Sequence, residues 1–156
     1  MSEWSISAVT SADDIEGILA VEDASFSNPW TREMYVEELR QSGRSFIWAA
    51  RESGGRIIGF CSFWKIVDEL HINNLAVEPS ARHQGVASAL LRRIMSEGAR
   101  MGVHRATLEV RRSNLAAQHL YLGFGFVVAG VRRDYYTAPV EDALILWHER
   151  VAEFAS

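Results

Sequence analysis

The sequence predicts a mixed α/β chain built around one central sheet, and three features predict it. Short runs rich in β-branched and aromatic residues, among them Ile57 to Ile66 and Glu69 to Val77, have the length and composition of strands. Gly85 to Met101 instead carries Val86, Leu90, Leu91, Ile94 and Met95 at helical spacing, an apolar stripe long enough to cover a sheet. The two kinds of segment follow in the order β-α-α-β-β-β-α-β-α-β-β, and a sheet flanked by helices is the arrangement that buries every apolar face.

Each element has a local reason. Trp4, Ile6 and Ala8 alternate with Ser5 and Ser7, the period of a half-buried strand. Ser11 with Asp14 three residues later has the form of a capping box, and Ile15, Ile18, Leu19 and Phe26 follow at roughly helical spacing. Asn28-Pro29 breaks that helix, and Thr31 caps a second one carrying Met34, Tyr35 and Leu39. Ser53-Gly54-Gly55 joins the runs Phe46 to Ala50 and Ile57 to Ile66, which is a hairpin signature. Pro79 ends the run Glu69 to Val77, and Gly102 stops the long helix. Ala106 to Arg111 is the next strand, and Asn114 caps the short helix Ala116 to Leu122, punctuated by Gly123 and Gly125. Phe126 to Val131 and Ala143 to Trp147 complete the sheet, with Arg132, Arg133 and Asp134 read as a solvated loop.

Repeats, low-complexity tracts and linkers are absent from the sequence, so residues 1–156 are expected to form a single domain, a length that suits one. A hydrophobic fraction of 48% and an aromatic fraction of 10% support a real core. The net charge of −4 argues against non-specific nucleic-acid binding and favours a cationic acceptor, such as an amine or a basic peptide tail. Cys61 is the one cysteine, which excludes a disulfide framework and a paired-cysteine metal site; in its apolar run it reads as a small core residue. His83, His104, His119 and His148 show no ligand spacing, so no metal is expected. No apolar run approaches the ~20 residues that span a bilayer, and a cytoplasmic monomer or weak dimer without membrane contact is the expectation.

One segment carries chemistry of its own: Val77-Glu78-Pro79-Ser80-Ala81-Arg82-His83-Gln84-Gly85-Val86-Ala87-Ser88. A strand runs into a polar turn, and a long helix starts at a glycine. The unsatisfied N–H groups of such a helix start, with its macrodipole, make an anion site. Gly85, Ala87 and Ser88 let a diphosphate approach the backbone, and Arg82 adds positive charge. An ordinary strand–turn–helix connection has the same local features. The P-loop and the three-glycine dinucleotide fingerprint are both missing.

Arg82-x-x-Gly85-x-Ala87 resembles the acetyl-CoA signature of the GNAT N-acetyltransferases. Phe26-Ser27-Asn28-Pro29-Trp30, Asn74-Leu75-Ala76-Val77, Leu108-Glu109-Val110-Arg111, Ser113-Asn114, Leu120-Tyr121, Gly123-Phe124-Gly125-Phe126, Arg132-x-x-Tyr135-Tyr136 and Glu141-Asp142-Ala143 extend the likeness over most of the chain, toward the RimI branch. That branch acetylates the N-terminal alanine of a small-subunit ribosomal protein. The resemblance implies a mostly antiparallel sheet of about seven strands flanked by four helices, splayed between the fourth and fifth strands. It also implies that Leu75, Ala76 and Val77 bond the pantetheine arm of acetyl-CoA as an added strand would. By the same likeness Arg82, His83, Gln84, Gly85, Val86, Ala87 and Ser88 surround its diphosphate, and Asn114 touches it. Asn73-Asn74 in mid-strand fits a bulge at the splay, although two buried, hydrogen-bonded asparagines would read the same way. Ala87 stands where a second glycine is commoner, and the segment Thr137-Ala138-Pro139-Val140, which helps select the acceptor, is short.

Acetyl transfer to an amine requires a base for the ammonium and an acid for the departing thiolate. Strand alternation puts Thr107, Glu109 and Arg111 on one face, so Glu109 is either paired with Arg111 or catalytic. Tyr121 is either a packed helix tyrosine or a proton donor. The resemblance assigns Glu109 as the base and Tyr121 as the acid. Glu69 and His71 share a face upstream and compete for the base role. Trp30, Tyr135, Tyr136, Glu141 and Asp142, with Glu69 when it is not the base, are candidates for the acceptor groove; Trp30 would otherwise be a core plug and the two tyrosines a strand end. The activity implied is direct transfer, in a ternary complex, of acetyl from acetyl-CoA to a protein N-terminal amine, that of a ribosomal protein first. A lysine, a small amine, or a non-catalytic acyl-CoA-binding role are the alternatives.

Overall fold

The computed structural model describes residues 3–26 and 29–155; Ser27 and Asn28, in the expected break after the first helix, lie outside them. Among the described residues the strands are β1 (Trp4–Ala8), β2 (Ser45–Glu52), β3 (Ile57–Ile66), β4 (Glu69–Val77), β5 (Arg105–Arg111), β6 (Val127–Thr137) and β7 (Val140–His148). The helices are α1 (Ile15–Ser25), α2 (Arg32–Arg40), α3 (Val86–Arg100) and α4 (Leu115–Gly123). One seven-stranded sheet runs β1-β2-β3-β4-β5-β7-β6. Every neighbouring pair is antiparallel except β4 and β5.

Strand alternation sorts the core onto two faces. Phe60 and Ala76 join Ile15, Ile18, Val21 and Tyr35 beneath α1 and α2. Cys61, Phe63, Leu70, Ile72, Leu108 and Val110 join Leu91, Ile94, Met95 and Tyr121 beneath α3 and α4. The whole predicted stripe of α3 is buried. At Gly59 an added Cβ would stand 3.1 Å from the Val86 side chain and 3.1 Å from the Ala76 carbonyl oxygen. The missing side chain there lets the head of α3 settle against the sheet.

Three local expectations change. Ser11 accepts the Asp13 N–H at 3.1 Å and opens a 3-10 turn (Ala12–Asp14) before α1. Asp14 does not complete the box, because its two oxygens take both terminal nitrogens of Arg51, at 2.8 and 2.9 Å. Thr31 caps α2 as expected, accepting the Met34 N–H at 3.3 Å, yet Met34 itself is 43% exposed and Tyr35 and Glu38 face inward. The largest correction is β6. Arg132, Arg133 and Asp134 belong to it rather than to a loop: the register passes from Arg132↔Ala143 to Tyr136↔Glu141, so the residues from Arg133 to Tyr135 bulge opposite Asp142. The Asp134 N–H is held at 3.0 Å by the Asp142 carboxylate. An edge strand exposed on most of its length has no apolar period to read.

Two irregularities shape the site. In β3–β4 the register steps from Ser62↔Asn74 to Phe63↔Ile72, leaving Asn73 as an extra residue, the bulge expected there. Between β4 and β5 pairing covers Glu69↔Arg105, Leu70↔Ala106 and His71↔Thr107 and then stops, which is the expected splay. No helix among the described residues is long and apolar enough to cross a membrane.

Candidate active site

Beyond His71 the edge of β4 that faces β5 has no strand partner. Since Glu78 donates to the Ile58 carbonyl of β3, alternation turns the N–H and C=O groups of Leu75 and Val77 toward β5, where the sheet leaves them unpaired, and those of Ala76 toward β3. At the mouth of this gap Val77, Ala81, Arg82, His83, Gly85, Val86, Ala87 and Ser88 line a cavity of about 200 Å³. His83 and Gly85 adopt left-handed backbone, φ +64° and +81°. An added Cβ at Gly85 would have no heavy atom within 4 Å, so the turn is open on that side. The first bond closed inside α3 runs from the Ala89 N–H to the Gly85 carbonyl at 3.0 Å, leaving the N–H groups of Val86, Ala87 and Ser88 ahead of it. An amide-lined recess beside an unpaired strand edge fits an acyl thioester on a diphosphate-bearing arm.

The other expected contacts divide. Arg82 Nε bonds the Val77 carbonyl at 3.0 Å, so its side chain also braces the turn. Gln84 is not part of that cavity's lining; it borders a separate recess of about 300 Å³ with Trp4, Arg56 and Ser80. Asn114 is engaged as a cap, its Oδ1 accepting the Ala117 N–H at 3.1 Å.

Glu109, on β5 between Leu108 and Val110, faces the side of α1 and α2. Its Oε2 lies 3.2 Å from His71 Nε2, its Oε1 accepts the Tyr135 hydroxyl at 3.3 Å, and its side chain is only 12% exposed. The hydrogen bond from His71 outweighs burial and, with the nearby charge of Arg132, holds the carboxyl below the usual carboxylate range. Arg111 bonds Glu141 at 3.2 Å and the Pro139 carbonyl at 3.1 Å, and its guanidinium lies 4.2 Å from the Tyr136 ring. His71 thus partners Glu109 at 3.2 Å, while Arg111 is engaged by Glu141 and the Pro139 carbonyl. The bulge in β6 is what swings Tyr135 over Glu109.

Tyr121 approaches from the opposite face, packed 5.5 Å from Phe126. Burial pushes its phenol well above the ordinary value, and Cys61 and Tyr136 add to the effect. Glu109 and Tyr121 therefore lie on opposite faces of the sheet. The remaining candidates lie further out. Glu69 is paired with Arg105 at 2.9 Å, at the closed end of the splay. Trp30 packs its ring 5.3 Å from Tyr35 on the core under α1 and α2. Glu141 and Asp142 hold the β6–β7 frame, Glu141 accepting the Ser113 N–H at 2.6 Å.

Sequence reasoning passed over two buried acids that support this face. Glu22 binds Tyr35, Asn74 and the Trp30 N–H. Glu38 takes Trp64 Nε1 at 2.7 Å and the Ser45 hydroxyl at 2.9 Å, and the Trp64 ring stands edge-on to His71, centroids 5.7 Å apart. The signal was present: Glu22 lies on the apolar stripe of α1 and Glu38 on that of α2, where a lone carboxylate needs partners.

A sheet split beside an amide-lined turn, with a carboxylate and a phenol on either side, defines a CoA-thioester-dependent acyltransferase. The model of the acetyltransferase (GNAT) family matches residues 15–126, and the chain belongs to that family. It is an acetyltransferase, and acetyl-CoA is the co-substrate of its family. A Bacillus subtilis (strain 168) relative is 36% identical over 135 residues, covering 86% of this chain and 89% of its own. The Escherichia coli (strain K12) ribosomal protein bS18-alanine N-acetyltransferase is 32% identical over 135 residues, covering 85% and 89%. A crystal structure of the ribosomal-protein-S18-alanine N-acetyltransferase from Escherichia coli superposes with a TM-score of 0.84, covering 92% of each chain.

Proposed function

We propose that this chain is a single-domain cytoplasmic enzyme that acetylates the N-terminal α-amine of a protein, the leading alanine of a ribosomal protein in the first instance. The observation that carries this reading is the strand edge left open between β4 and β5 beside the unpaired amides at the head of α3, and we assign Glu109 and Tyr121 to the chemistry there. The Escherichia coli relative, named for that acceptor, supports the substrate class.

Acetyl-CoA supplies the activated acetyl group, and the residues of the chain do the rest. The amides at the head of α3 and the free edge of Leu75 to Val77 bind and orient it. Glu109, ionised at neutral pH, draws an α-ammonium into a partly dry site and takes its proton, with His71 as the second basic group of the pair. Tyr121 keeps its phenolic proton across the working pH range and donates a hydrogen bond to the sulfur as it leaves. Tyr135 lies over Glu109 and narrows the acceptor side. Cys61, fully buried with its thiol pushed up by burial, is unsuited to carry an acyl group, which favours direct transfer.

The test is a basic peptide that begins with alanine, assayed beside its Nα-blocked form. Turnover of the free peptide alone is expected; equal turnover would assign the activity to a side-chain amine. Glu109→Gln and Tyr121→Phe should each lower kcat by about 10²- to 10⁴-fold while acetyl-CoA affinity is nearly kept. Unchanged turnover in both variants refutes these roles.

A further inference from the structure

Glu22 is 1% exposed on α1, and the chemistry above does not use it. Its carboxylate sits where three segments converge. The Tyr35 hydroxyl of α2 donates to Oε1, Asn74 Nδ2 of β4 lies 3.4 Å from the same oxygen, and the Trp30 N–H donates to Oε2 at 2.9 Å. Asn74 Nδ2 also bonds the Tyr35 hydroxyl at 3.0 Å, closing a ring of contacts. Asn74 is the residue that follows the bulge, next to the strand edge assigned to acetyl-CoA. Trp30 belongs to the chain that enters α2, on the face where His71, Glu109 and Tyr135 gather.

We propose that Glu22 is a positioning residue: it ties the chain entering α2 to the bulge of β4 and so holds the acceptor side of the gap at a fixed spacing from the cofactor edge. The inference rests on the reading given under the proposed function. All three donors point at one carboxylate, so a shift of the α2 entry relative to β4 breaks at least one hydrogen bond in a buried place, where an orphaned donor is costly. The aromatic packing repeats the connection, with Trp30 against Tyr35 at 5.3 Å and Tyr35 edge-on to Phe60 of β3 at 5.9 Å. Gln is the instructive substitute. It keeps the shape but offers one oxygen and one NH₂ to a shell made of donors, so either Trp30 or the Tyr35–Asn74 pair loses its acceptor.

The experiment compares wild type and Glu22→Gln, each shown to be folded by circular dichroism, in acetylation of an alanine-leading peptide and in direct titration with acetyl-CoA. The peptide KM is expected to rise about tenfold or more while the acetyl-CoA Kd moves less than about threefold, the signature of lost acceptor positioning. A peptide KM equal to that of wild type overturns the proposal. So does a parallel rise in both constants, which a general loosening would produce. Should Glu22→Gln fail to fold, Asn74→Ala, at a half-buried position, removes only the β4 arm and is held to the same two outcomes. Wild type is the internal control: if it leaves the peptide untouched, the proposed function fails, whereas turnover by wild type with an unaltered variant sinks only the role of Glu22.

Discussion

Two opposing influences meet at Glu109: burial favours its neutral form, and the His71 hydrogen bond favours the anion and prevails. Removing the imidazole leaves burial as the main influence, so His71→Ala should move the Glu109 carboxyl upward. A depressed carboxyl contributes stability above its unfolded value of about 4.3, and that contribution is lost as pH falls through the folded value. His71→Ala should therefore be less stable than wild type at neutral pH, with the difference shrinking on acidification. A ¹³C titration of the Glu109 carboxyl checks the shift, and an unchanged midpoint would remove His71 from the pair. The sequence made Glu109 visible but not its partner. His71 faces Thr107 across the last β4–β5 pair, and Glu109, two residues further on, reaches it diagonally. Arg111 was the neighbour along the chain, and His71 is the neighbour in space. That second kind of proximity comes from β4–β5 pairing, which local pattern does not encode.

At the scale of elements, the termini of α3 and α4 were legible because capping is local. Gly85 stands at φ +81° with open space where a side chain would go, so Gly85→Ala meets a conformational cost rather than a clash. Its cost should be about 1–2 kcal/mol in stability. The re-aimed amides should also weaken acetyl-CoA binding by about tenfold, read by calorimetric titration beside a thermal melt. A variant that loses stability but binds as before would mean that the turn does not hold the diphosphate. Asn114→Ala tests a different end: the Oδ1 cap on Ala117 is lost, and about 1 kcal/mol of stability with it. A larger effect on acetyl-CoA affinity than on stability would show that Asn114 also reaches the ligand. β6 was the element misread. Its bulge is pinned by Asp142, a residue of another strand, and its exposed charges imitate a loop.

Across the whole molecule, the resemblance anticipated the sheet with its splay, and Asn73-Asn74 located the bulge, because asparagine is depleted in regular strands. The joining of α1, α2 and β4 through Glu22 escaped notice, since it links residues 52 apart that share no periodic pattern. The splay also predicts where ligand energy should be felt. β4 is tied to β3 on one side but is open toward β5 after His71, so its last residues and the first turn of α3 have amides that the sheet and the helix leave unpaired. Acetyl-CoA at about 100 times its Kd should add about 2.7 kcal/mol to global stability by mass action. Beyond that uniform gain, hydrogen exchange should slow locally at Leu75 and Val77 and at Val86 to Ser88, where new acceptors cover free amides. Trp48 to Arg51 of β2 and the interior of β3, already paired on both sides, should show the global gain alone. Peptide-resolved exchange with and without acetyl-CoA separates the two. Protection centred on the recess of Trp4, Arg56 and Gln84 would put the ligand on the wrong side of the turn and refute the assignment of the gap.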